Sequence, residues 1–258
     1  MVSGIFLMIS LCYLPFICAL FVPQLEILRR PLYLWFPCIL HGLALYWIGF
    51  AENLWASPNF GLGVLSYIMF IGFQLLRNNK KMEALGSIHL PLGALLLLLA
   101  GIIPDTTINQ NESSWILIHI ILILIGFGCF ALAFAQSLLF LFVRHRLKSK
   151  NLRGIVFFPS LERLDRLNHI GSIVGFVALS AGVAAGWFWS NGLNEWRWDI
   201  GSISSLSLWL LYAISIHARL IFGRRMHWTA WFSVVGFFVM CLVISIASLV
   251  GGWHLGAP

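Results

Sequence analysis

In a chain of 258 residues, 60% hydrophobic against 10% charged residues and a mean hydropathy of +0.92 leave too little polar surface to cover a water-soluble globule. That balance excludes soluble enzymes and makes the bilayer the solvent. The formal net charge of +7 then has a membrane explanation, a basic face beside an anionic leaflet, and no nucleic-acid partner is expected because no recognition fold accompanies it.

A spanning helix needs roughly 20 mainly apolar residues, because lipid offers the backbone no hydrogen-bond partners. Eight such runs follow one another, near 3–22, 32–52, 60–76, 88–104, 115–142, 169–191, 201–222 and 229–250. They are continuous rather than alternating, so the expected fold is an all-α integral membrane bundle of about eight transmembrane helices and not a barrel. Basic residues gather on one side of these runs: Arg29 and Arg30 after the first, Arg77, Lys80 and Lys81 after the third, Arg144 to Arg166 after the fifth, and Arg219, Arg224 and Arg225 at the seventh. Arg197 alone lies opposite, so fifteen of the sixteen basic residues agree on one topology, with both termini on the outward, periplasmic side.

The first run lacks a basic flank before it and leads straight into a basic loop, which predicts a permanent span rather than a removable signal. Cys12, Cys18, Cys38, Cys129 and Cys241 all fall inside apolar runs with no C-x-x-C pair, and read as small core residues. The whole of 1–258 reads as a single polytopic membrane domain. Its one sizeable loop, 143–168, carries leucines at 161, 164 and 167, which predicts a short amphipathic helix on the inner surface.

Chemistry must come from the few polar groups that lipid makes expensive to bury, and these are chiefly histidines. His145 and His227 belong to inner loops, and His89 and His169 mark the inner mouths of the fourth and sixth spans, where they read as interfacial. His41 and His217 lie about nine and five residues from the inner ends of their spans, which puts both roughly 8–14 Å inside the inner surface. Two imidazoles at similar depth can ligate one haem iron from opposite faces, or each can hydrogen-bond across helices. His119 and His254 instead lie near the outer surface, flanking the outward loop Trp196-Arg197-Trp198-Asp199, with Trp187 and Trp189 before it. Tryptophans there serve as interface anchors, or as a platform for a flat macrocycle whose propionate Arg197 would meet, Asp199 orienting the arginine or an imidazole.

Gly186-Trp187-Phe188-Trp189-Ser190, the Trp196-Arg197-Trp198-Asp199 loop, and the following span from Trp209 to Arg219 with His217 near its end resemble the tryptophan-rich haem-handling segment of the cytochrome c assembly family, which includes CcsA, ResC and HemX-like membrane proteins. The resemblance covers about 115–255, and His41-Gly42-Leu43-Ala44-Leu45 resembles the short HemX-like and YpjD-like members. It implies a b-type, non-covalently held haem, with His119 and His254 as the outward ligand pair and His41 and His217 as the intramembrane pair. It also implies a multi-pass protein of the bacterial inner (cytoplasmic) membrane that breaks no substrate bond, and, as partners, other membrane proteins of cytochrome c assembly and apocytochrome c.

One departure stands inside the motif. Members that deliver haem usually continue the loop as Pro-Lys-Glu, whereas this chain continues as Ile200-Gly201-Ser202. Two functions therefore stay open: holding or passing haem between the two sites, and regulating or scaffolding haem biosynthesis or complex assembly without delivery. A solute transporter would call for paired broken helices and inverted repeats, which the chain does not display. A phosphate loop and a His-Glu-x-x-His zinc helix are absent from the sequence, so phosphoryl transfer and zinc hydrolysis have no residues to carry them.

Overall fold

The computed structural model describes residues 2–20, 22, 31–55, 57–77, 81–103, 114–151, 154–192, 200–222 and 226–250. These residues form eight α-helices: α1 (Val2–Cys18), α2 (Pro31–Tyr46), α3 (Pro58–Leu76), α4 (Gly86–Ile102), α5 (Ser114–Lys148), α6 (Leu161–Gly192), α7 (Ile200–Phe222) and α8 (Met226–Val250). Each predicted apolar run coincides with one of them. Among the described residues, five helical stretches are long and apolar enough to cross a membrane: Leu32–Ala51, Pro58–Leu76, Met82–Ile102, Trp115–Lys148 and Leu161–Ser190. Their outward faces are apolar as well, with Leu32, Leu75 and Ile102 each at least two-thirds exposed, a surface that lipid solvates and water does not. The protein is an all-helical integral membrane protein.

Two compact units divide the helices. The first holds residues 1–107 and 143–160, hence α1 to α4; the second holds 108–142 and 161–258, hence most of α5 and all of α6 to α8.

In the first unit, α3 packs against α4 and α2, and α1 against α4. Close approach is possible because glycines stand where helices meet: Gly63 faces Phe6 and Leu45, Gly93 faces Phe70, and Gly86 faces Phe73. The start of α3 is set locally, Ser57 accepting the Phe60 amide at its N-cap with Pro58 in the first turn. Asn59, one residue on, turns into the unit and donates its amide to the Ala100 and Ile103 carbonyls at 3.0 and 2.8 Å, satisfying orphan acceptors at the end of α4. Asn59→Ala is expected to lower stability by about 1–3 kcal/mol, because lipid cannot replace the donor. The check is the denaturation midpoint of purified protein in micelles; a midpoint equal to that of the parent would show those carbonyls to be satisfied otherwise.

In the second unit α5 and α6 are joined by a glycine ridge. Gly171, Gly175, Gly182 and Gly186 of α6 meet Cys129, Phe130, Ile123 and His119 of α5 in turn, and Gly126 of α5 answers with its own close contact to the Gly175 carbonyl. The spacing of four residues within each pair keeps all of them on one face of α6.

The expected surface helix over 159–167 is instead the beginning of α6. Leu164, Asp165 and Asn168 are buried while Glu162, Arg163 and Arg166 are exposed. The segment continues into the span because its buried polar groups have partners on α7 and α8. Asp165 accepts both guanidinium nitrogens of Arg219 at 2.8 and 2.6 Å, and Asn168 Oδ1 accepts the Ser233 hydroxyl at 2.7 Å.

Candidate functional site

His41 stands on the buried face of α2 with Leu34, Cys38, Leu45 and Ile48, a stripe at helical spacing. Its imidazole is wholly enclosed by the first unit. Tyr67 lies edge-on at 5.3 Å between ring centroids, and Phe70 and Tyr13 at 6.3 and 6.0 Å. Nδ1 lies 3.5 Å from the Tyr13 hydroxyl, which in turn donates to Cys38 Sγ at 3.6 Å. Nε2 is buried, and the imidazole has the Gly63 backbone as a hydrogen-bond partner.

His217 of α7 differs. Its ring is exposed on the helix flank, and Nδ1 meets the Ala213 carbonyl one turn back at 2.7 Å. A carbonyl only accepts, so Nδ1 carries a proton. This bond runs along the helix rather than across to a neighbour. His41 belongs to the first unit and His217 to the second.

His119 of α5 sits in the glycine ridge, its Nδ1 donating across to the Gly182 carbonyl at 2.7 Å. The ring lies so close to α6 that a methyl group on Gly186 would fall 2.6 Å from Nδ1. Aromatics surround this end of the unit: Trp115 stacks on Phe188 at 5.4 Å, and Trp187 meets Phe188 edge-on. Trp189 is buried nearby. His217 lies at the other end of the unit, two residues from Arg219 and its Asp165 partner. Along α6 the two levels, marked by Asp165 and Gly182, are about 25 Å apart. The expected outward loop Trp196-Arg197-Trp198-Asp199 and His254 lie outside the described residues. Among the described residues no three His, Cys, Asp or Glu side chains converge on a metal-ion site.

Three features escaped the sequence reading. Tyr13 and Cys38 were part of apolar runs, and nothing in their spacing pointed to His41. His89, read as interfacial, is wholly buried, with Nδ1 donating to the Leu85 carbonyl at 2.8 Å and the Phe73 ring alongside. Asp165 and Arg219 were loop and helix-end charges, yet they form a buried pair.

Apolar helices that bury imidazoles among them define an all-helical polytopic membrane protein. Residues 53–254 match the family model described as cytochrome C assembly protein, and the chain belongs to the cytochrome c assembly family. It is similar to the cytochrome c biogenesis protein CcsA of Prochlorococcus marinus strain MIT 9515, 26% identical over 173 residues, or 56% of this chain and 55% of that protein. The CcsA of Synechococcus sp. strain RCC307 is 28% identical over 183 residues, 59% of each chain, and that of Cyanidium caldarium 22% over 226 residues, 74% and 75% of the two. The chain thus spans somewhat over half the length of the first two of these relatives.

Proposed function

We propose that this protein holds or passes b-type, non-covalently bound haem in the bacterial inner membrane. In this reading His41 and His217 would supply the intramembrane ligands, and His119, His254 and Trp196-Arg197-Trp198-Asp199 the outward ones. The observation that carries the reading is the enclosure of the His41 imidazole in the apolar interior of the first unit. A neutral imidazole is the form in which histidine ligates haem iron. His217 and His119 support it through the backbone carbonyl that each Nδ1 meets, which orients the ring. Haem bound here would supply the redox-active iron. The chain's own residues do the rest: imidazoles ligate, carbonyls and the Tyr13 hydroxyl fix ring orientation, and the apolar helices exclude water. Seating and ligand exchange suffice, and no bond in a substrate is broken. Apocytochrome c and other membrane proteins of cytochrome c assembly are the proposed partners.

Replacing His41 and His217 together by alanine is expected to abolish haem copurification while the variant still inserts in the membrane. Haem content equal to the parent's, read from the pyridine haemochrome spectrum, would remove the intramembrane site.

Ile200-Gly201-Ser202, in place of the Pro-Lys-Glu of haem-delivering members, favours a second reading, a HemX-like regulator or scaffold of haem biosynthesis or complex assembly. A deletion strain separates them. Loss of c-type cytochromes supports delivery, and altered haem precursors with intact cytochromes support regulation.

A further inference from the structure

The turn that leads from α5 toward α6 is built rather than slack. The Arg146 guanidinium donates to Asn151 Oδ1 at 3.2 Å, and the Arg146 carbonyl accepts the Asn151 amide at 3.0 Å. Lys150 and Gly154 take φ of 55° and 73°, which reverses the chain, and the Phe157 amide closes one turn of 3-10 helix, Ile155–Phe157, on the Gly154 carbonyl at 3.1 Å. On this frame Val156 and Phe157 are 72% and 73% exposed, while Pro159 just beyond them is buried. Isolated exposed apolar side chains are ordinary, but here two neighbours are held outward together by a fixed turn.

The same turn is strongly cationic. Arg144, Arg146, Lys148 and Lys150 crowd the end of α5, Lys148 and Lys150 fully exposed, and no Asp or Glu stands in the sequence between Glu112 and Glu162. Depth follows from length. The apolar residues 115–143 of α5 run for about 42 Å at 1.5 Å per residue, close to the roughly 40–45 Å of a whole bilayer with its headgroups. The cations after residue 143 therefore come at the level of the lipid phosphates. A protein partner for this surface would have to be acidic and to sit against the bilayer; an anionic leaflet has both properties already.

We propose that residues 144–158 form an interfacial anchor for anionic phospholipid, with Val156 and Phe157 seated among the upper acyl carbons and Lys148 and Lys150 on the phosphates. Apolar insertion and charge attraction act on one short segment, the combination that makes interfacial binding depend on lipid composition. The anchor sets how deeply the end of α5 sits in its leaflet.

The test uses the full chain as Phe157→Trp in nanodiscs of phosphatidylcholine, with and without a third of it replaced by phosphatidylglycerol. The parent has 12 tryptophans, so the signal is the difference in emission between variant and parent. Phe157 is exposed, so the larger ring is expected to leave the circular dichroism unchanged. The new indole is expected to emit to the blue of a solvated one, to be quenched by lipids brominated near the headgroup and to be spared by aqueous iodide. Quenching is expected to deepen with phosphatidylglycerol, and Lys148→Gln with Lys150→Gln to abolish that gain. Ser160→Trp, at an exposed polar position, is the control for the liking of any indole for the interface, and is expected to be reached by iodide. Four results would overturn the proposal: iodide quenching at residue 157, equal quenching in the two lipid mixtures, lipid quenching as strong at residue 160, or protection from iodide in cell membranes but not in nanodiscs. The last would assign the turn to a protein partner.

Discussion

Replacing Asp165 by alanine is expected to destabilise the second unit by about 3–5 kcal/mol, because it leaves the Arg219 guanidinium without its counter-charge in a site where that side chain is only 12% exposed. The pair is bidentate, with both guanidinium nitrogens on the two carboxylate oxygens at 2.8 and 2.6 Å. This geometry returns the most interaction energy for the desolvation of both ions. The Thr229 hydroxyl reaches the same carboxylate at 3.5 Å, and Asn168 one turn on receives Ser233, so the site joins α6, α7 and α8. Removing both charges is a different experiment. In Asp165→Ala with Arg219→Met no uncompensated ion remains, and most of the lost stability is expected to return. Unfolding midpoints of the two single variants and the double variant in micelles make the comparison. A double variant as unstable as Asp165→Ala would mean that the loss comes from packing and that the charges do not couple.

Gly186→Ala is expected to pull His119 out of register at the opposite end of the same unit. The added methyl would fall 2.6 Å from Nδ1 and 2.9 Å from Cε1, well inside van der Waals contact. The ring cannot yield without stretching its 2.7 Å bond to the Gly182 carbonyl, on the same face of α6. Overpacking of this kind costs about 1–3 kcal/mol. The larger consequence is for ligation, since the bond that orients the imidazole is lost, and outward haem affinity is expected to fall roughly 10–100-fold. Hemin titration of the variant beside His119→Ala reads the effect. Gly4→Ala serves as the control, since a methyl there meets no atom within 4 Å. Haem affinity in Gly186→Ala equal to that of the control would show that the ring does not depend on this contact.

Much of the fold was legible without coordinates because lipid imposes one rule on every span: about 20 apolar residues that satisfy their own backbone. For that reason the runs expected to begin near 32, 60, 88 and 115 reappear as α2 to α5, each starting within two residues of the expected position. The candidate ligands were legible for a related reason. A histidine in an apolar run is conspicuous, so His41, His119 and His217 could be named from position alone. Their surroundings were not legible. Tyr13 is 28 residues from His41 and Gly182 is 63 from His119, and neither spacing carries a local signal. The segment at 159–167 misled because a leucine every third residue suits a helix lying on a membrane as well as one entering it. Which of the two forms depends on whether Asp165 finds a buried partner, and that partner lies on another helix.

Composition and periodicity by themselves determined that the chain is a helical membrane protein, where its helices run, and which side chains are out of place in lipid. These are properties of single segments in contact with a solvent. The tertiary structure decided what each of those side chains meets: a tyrosine and the Gly63 backbone for His41, a glycine groove for His119, its own helix for His217, an arginine for Asp165. Such pairings depend on which faces of distant helices come together, and no single segment encodes that choice, because a small residue such as Gly186 acquires its role only from the ring that packs against it.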